Sequence, residues 1–284
     1  MRKLILILSI FLMTSSSWGQ KLVEYQTLYA QEKFGPVAQA VDSILKCCGT
    51  QISGQIDDWR FLLANAQMKI GRFAEAKTHY ESISYHNDNY PLNYGICLLK
   101  NQLFELAFAQ LNDYYLNHGE EYKAIYWLGE CYYYMQKPKE ALRVLQKAVD
   151  SFPDDPDAFY LMGIIHTEKG DYEKAFIYFQ AAYDTKNTLL DAKFNMGLTK
   201  FYAQQLESAE EILSELALEK TPLIPEVLAL LGEIRYRLHD EEGACEYWKE
   251  AINYGNEESK ENHQKVCFDK KGGPKFKKKS FVSF

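Results

Sequence analysis

Six cysteines and six histidines are the side chains of this 284-residue chain best suited to metal or nucleophilic chemistry, and their spacing disfavours both. Cys47, Cys48, Cys97, Cys131, Cys245 and Cys267 form no CxxC pair and no close Cys/His group, so the spacing that holds zinc is missing. His79, His86, His118, His166, His239 and His263 are scattered. No glycine-rich phosphate loop, GxSxG or HExxH sequence accompanies them. No catalytic residue, metal or cofactor is therefore expected. What the chain has in excess is aromatic side chains, 14% of all residues, with 21 tyrosines and 16 phenylalanines. Surface aromatics bury much area while losing few rotamers, which suits them to holding another protein.

The elements that position these aromatics are marked by small residues at a fixed interval. Gly129 and Ala141 lie twelve residues apart, and so do Gly163 and Ala175, thirty-four residues later. The interval recurs at Gly95 and Ala107, Gly197 and Ala209, and Gly232 and Ala244. It persists with Ala64 and Ala76, and weakens at Leu28 and Ala40. Two helices of a hairpin approach to about 8–10 Å only where the side chains at the contact are small. Each unit therefore reads as two packed helices, which must stack on neighbours to bury their shared face.

Two copies carry a fuller pattern: Ile125-x-x-Leu128-Gly129-x-x-Tyr132 with Ala141-x-x-x-Leu145 and Pro153, then Phe159-x-x-Met162-Gly163-x-x-His166 with Ala175-x-x-x-Phe179. This spacing resembles the tetratricopeptide repeat. The resemblance implies an all-α fold, a right-handed superhelical solenoid of about seven helix-turn-helix repeats. The repeats begin near residues 21, 57, 88, 122, 156, 190 and 225 and fill residues 20–258. In the first, Leu22–Phe34 is expected as one helix, Gly35-Pro36 as the turn and Val37–Cys48 as the return helix. Cys97 and Cys131 hold the same place in consecutive repeats, too far apart for the ~7 Å Cα separation a disulfide needs, and read as small core residues. Export would permit disulfides, but their connectivity is not legible in the sequence.

The ends differ from the body. Arg2 and Lys3 precede an apolar run, Leu4–Met13, and small residues stand at Ser17 and Gly19. That is the layout of a secretory signal peptide, residues 1–19, cut after Gly19. Export to a periplasm or cell envelope follows as an expectation. Residues 259–284 are expected to be a polar cap followed by a disordered basic tail, in which Lys270–Lys279 offers weak attraction to an anionic membrane surface. The formal net charge of −7 argues against nucleic acid as a partner.

In the family resembled, the first helix of each repeat lines a concave groove. Carried over place by place, the partner-binding groove consists chiefly of Tyr126, Glu130, Tyr133, Tyr134, Tyr160, Phe194, Phe201, Tyr202, Tyr236 and Arg237. Earlier repeats add Tyr25, Tyr29, Phe61, Leu92, Ile96 and Leu99. Aromatics at helical spacing also serve as core. Tyr132, Tyr133 and Tyr134 are adjacent on one helix and point different ways, so at least one of them must leave the seam. Family members that clamp a terminal carboxylate use lysine, arginine and asparagine at places that here hold Tyr126, Tyr160 and Phe194, so that clamp is not expected. The functional expectation is an exported, non-catalytic scaffold that binds a protein or peptide partner, within an envelope assembly or secretion complex. The alternative is a surface-attachment protein that binds anionic lipid or polysaccharide through the basic tail.

Overall fold

In a computed structural model the described residues are 15–84, 87–219 and 221–268. Regular structure among them is helical. The helices are α1 (Ser15–Ala30), α2 (Phe34–Cys48), α3 (Ile56–Lys69), α4 (Phe73–Glu81), α5 (Tyr90–Lys100), α6 (Phe104–His118), α7 (Tyr122–Tyr134) and α8 (Pro138–Ser151). They continue with α9 (Pro156–Glu168), α10 (Tyr172–Thr185), α11 (Leu190–Tyr202), α12 (Leu206–Ala217), α13 (Ile224–Arg237), α14 (Glu241–Asn253) and α15 (Ser259–Cys267). The basic tail and most of the expected leader lie outside the described residues.

The chain divides into two compact units, Met1–Val144 and Leu145–Phe284, with the division inside α8. In the first unit each helix from α1 to α7 packs on the next, and the odd-numbered helices also touch one another in sequence. In the second unit the same serial packing runs from α9 to α15, with α11 touching α13. Each unit is thus a stack of helical hairpins whose first helices lie side by side.

The small residues sit where the helices come closest. A Cβ added at Gly163 would lie 2.7 Å from the Phe179 ring, and one at Gly232 would lie 2.5 Å from the Trp248 ring. Both glycines are on the first helix of a hairpin and both rings are on the second. Ala76, Ala107, Ala175, Ala209 and Ala244 are completely buried on the second helices. A large side chain at either place would push the hairpin open.

Every hairpin turns through one residue with positive φ: Glu32, Gly71, Gln102, Gln136, Gly170, Gln204 and His239. The next residue's N–H then reaches back to a carbonyl in the last turn of the first helix. Examples are Lys137 N–H to Tyr132 O at 3.0 Å and Gln205 N–H to Lys200 O at 2.9 Å. This is the Schellman closure, which satisfies carbonyls that a helix end leaves open. It corrects the expected first repeat: the turn is at Gln31–Lys33, and Gly35 and Pro36 lie in the first turn of α2. Proline is accepted there because that turn's N–H groups have no helical partner to lose. Between repeats, Asp155 caps α9 by accepting from Asp157 N–H at 3.1 Å, with Pro156 beginning the helix.

At the start of the first unit, α1 runs continuously through Gly19. Trp18 is almost fully buried with Leu22, Val37, Val41, Trp59 and Leu63, its ring edge-on to Trp59 at 6.3 Å. A cut after Gly19 would remove that core side chain. The cysteines fall into two classes. Cys97 and Cys131 are free and buried, as expected, and their thiols donate to Phe73 O at 3.5 Å and Phe104 O at 3.6 Å. Burial pushes both thiols up to about 12, so they are inert. Cys245 and Cys267 are joined in a disulfide, and so are the adjacent Cys47 and Cys48.

Candidate partner-binding faces

In the first unit the relevant face is built by α3, α5 and α7. Tyr134 ends α7 with 41% of its surface exposed, its ring stacked on Phe104 of α6 at 5.7 Å. Tyr133 is half-buried beside it, ring centres 5.2 Å apart. Tyr126, also half-buried, stands between Tyr122 at 5.7 Å and Trp127 at 5.3 Å. Glu130 is only 7% exposed and does not present itself to a partner, which corrects the expectation. Its carboxylate is held by Lys100 Nζ at 3.1 Å, and the same ammonium lies 5.3 Å above the Trp127 ring. Leu92 and Leu99 are likewise buried, because these positions of α5 face its neighbours. Removing Lys100 would leave a buried carboxylate uncompensated, which disrupts the face from beneath.

In the second unit the face is built by α9, α11 and α13. Tyr160 of α9 is half-buried, edge-on to Phe179 at 5.5 Å, and its hydroxyl accepts from Asn195 Nδ2 at 2.9 Å. Burial raises the Tyr160 pKa and the Asp191 charge adds to the rise, while the Asn195 hydrogen bond opposes it. Phe194 packs against the core of α11–α13. Phe201 is 6% exposed, a second correction, because the Arg237 guanidinium covers its ring at 4.2 Å. Arg237 is held in place by Glu233 at 2.8 Å. Tyr202 and Tyr236 are open, at 47% and 42% exposure. Tyr202 stacks on Tyr172 at 5.8 Å, and Tyr236 leans on Trp248 at 5.8 Å.

Tyr134, Tyr202 and Tyr236 all stand in the last turn of a first helix, each against another ring that fixes its orientation. Tyr236 is four residues after Gly232, while Tyr134 and Tyr202 share the position five residues after Gly129 and Gly197. The intervening repeat carries Glu168 there. Each ring therefore offers an exposed surface whose ordering is already provided by the ring beneath, the arrangement that makes an aromatic a binding anchor. The supporting rings Phe104 and Tyr172 sit at the start of second helices, and their role was not legible from the pattern of first helices alone. An open cleft of about 580 Å³ beside Tyr236 is bounded by Arg237, His239, Asp240, Glu241 and Glu242.

Among the described residues no three His, Cys, Asp or Glu side chains are grouped to hold a metal. His166 is buried and stacked on Tyr178 at 5.3 Å, its Nδ1 lying 3.3 Å from Asp171 Oδ2 without hydrogen-bond alignment. Burial lowers its pKa against the opposing pull of Asp171. It is a core side chain, as its place in the pattern implies. Among the described residues no helix is long and apolar enough to cross a membrane.

Residues 126–188 match a family model for the tetratricopeptide repeat. No curated protein matches the sequence. Solved structures do resemble it. One is a tetratricopeptide repeat protein from Parabacteroides merdae, with 17% identity over 87% of this chain and 97% of that one, at a TM-score of 0.63. Another is the C-terminal part of a repeat-containing protein from Cytophaga hutchinsonii, 14% identical over 84% of this chain and 98% of that one, TM-score 0.62. A third is YrrB, described as a repeat protein with an unusual peptide-binding site, 20% identical over 68% of this chain and 97% of that one, TM-score 0.53. At these identities the likeness is one of fold.

Proposed function

We propose that the chain, which matches a tetratricopeptide repeat model over residues 126–188 and resembles such proteins in fold, is an exported, non-catalytic scaffold that holds a peptide or helix of a protein partner on its aromatic faces. The observation that carries this reading is the trio Tyr134, Tyr202 and Tyr236, each exposed in the last turn of a first helix and each backed by a second ring. YrrB, with a similar fold, is described as having a peptide-binding site, which makes peptide capture a natural use of such a surface. The leader-like start at Arg2–Gly19 supports export, as does the Cys245–Cys267 disulfide, since disulfides persist in oxidising compartments. An envelope assembly or secretion complex is the setting that joins export to partner binding.

The reading is tested by affinity capture from envelope extract, comparing the full chain with a variant carrying Tyr134→Ala, Tyr202→Ala and Tyr236→Ala. A partner retained by the native surface and lost by the variant supports it. Equal capture by both would move binding away from these faces. A third sample lacking Lys270–Lys279 separates groove binding from attachment through the basic segment.

A further inference from the structure

The last helix is attached differently from the others. α13 buries Val227, Leu228, Leu231, Gly232 and Ile234 against its neighbours. α15, which follows α14 in the same stack, buries only Ser259 and Cys267, at its two ends. At its start, Ser259 N–H and Oγ–H both donate to Asn256 Oδ1 at 2.9 Å, which fixes the helix entry. At its end, Cys267 is bonded to Cys245 of α14, with Cα atoms 5.7 Å apart. Val266 and Phe268 are the partly buried hydrophobic side chains packed beside that bond, against Ala244, Cys245 and Trp248. The outer face carries Lys260, Glu261 and Lys265, ion-paired within the segment and exposed. A nine-residue helix with so little apolar burial lacks the packing that holds short helices in place.

We propose that the Cys245–Cys267 disulfide, rather than apolar burial, holds α15 on α14, making α15 a covalently latched end of the stack that a dithiol reductant releases while α13 and α14 stay folded. The opening balances simply. A thiolate of the reductant attacks one sulfur of the pair and gives a mixed disulfide. Its second thiolate then displaces the protein sulfur. Two electrons and two protons pass to Cys245 and Cys267, and the reductant becomes a cyclic disulfide. Release uncovers the stretch of α14 around Cys245, where Cys267, Val266 and Phe268 are packed.

Hydrogen exchange read by mass spectrometry tests this on the full chain, before and after dithiothreitol. A Cys245→Ser, Cys267→Ser variant, which retains Cys47 and Cys48, separates the two disulfides. We expect amides of α15 to exchange at least about tenfold faster after reduction, and equally fast in the variant without reductant, with α13 and α14 unchanged. Unaltered α15 protection after reduction would overturn the proposal, because packing would then suffice. So would joint loss of protection in α13 and α14, or peptide mapping that finds Cys245 and Cys267 unlinked in the oxidised protein. If the variant does not fold, reduction of the native chain decides the matter alone.

Discussion

At the scale of single residues, this fold depends on two places in each repeat where the side chain is set by geometry. Alanine is intrinsically the better helix former, yet Gly163→Ala would force its methyl against the Phe179 ring, which has packed neighbours on its other side. Overpacking of this kind costs about 1–3 kcal/mol, outweighing the propensity gain of about 1 kcal/mol. Urea denaturation should show the net loss as a lower midpoint with an unchanged slope. The second place is the hairpin turn. Gln204 is exposed at φ +60, where a Cβ costs about 1–2 kcal/mol and glycine nothing, at the expense of a more flexible unfolded chain. Gln204→Gly should therefore raise stability by about 0.5–1 kcal/mol in the same measurement.

At the scale of elements, the hairpins were legible because close approach demands small residues at a fixed interval, and the interval survives where other residues vary. The turn of the first repeat was not, because its positive-φ residue is Glu32, a type with no turn signature, while Gly35 and Pro36 serve equally well inside a first helical turn. The binding face was legible only in outline. Phe201 and Tyr202 are adjacent and chemically alike, but helix phase puts one beneath Arg237 and the other in the open. Likewise nothing in the spacing of Cys245 and Cys267 announces their bond, which depends on how α15 folds back on α14. α1 carries a further consequence. Trp18 lies in the core ahead of the expected cut, so Trp18→Ala should cost about 3 kcal/mol or more by urea denaturation of the full chain. A chain beginning at Gln20 should show a comparable loss. Equal stability would mean that Trp18 contributes nothing to the packed core.

At the scale of the whole molecule, serial packing leaves each compact unit with a row of first helices whose outer ends carry oriented tyrosines. A stack of this kind can present surface without forming an enclosed site, which accords with a scaffold's work. The stacked rings order the exposed tyrosines before any partner arrives, so the entropy of immobilising them is already spent on folding. Binding should then be concentrated in a few aromatic anchors instead of spread evenly over the faces.

The most direct test of that claim is the affinity of the captured partner, measured by isothermal titration calorimetry for the native chain and for the variant with Tyr134, Tyr202 and Tyr236 all replaced by alanine. The prediction is binding at least about thirtyfold weaker, the loss of one anchor worth about 2 kcal/mol or more, with helicity and melting temperature nearly unchanged. Unchanged affinity in an equally folded variant would contradict it and place the partner on another surface.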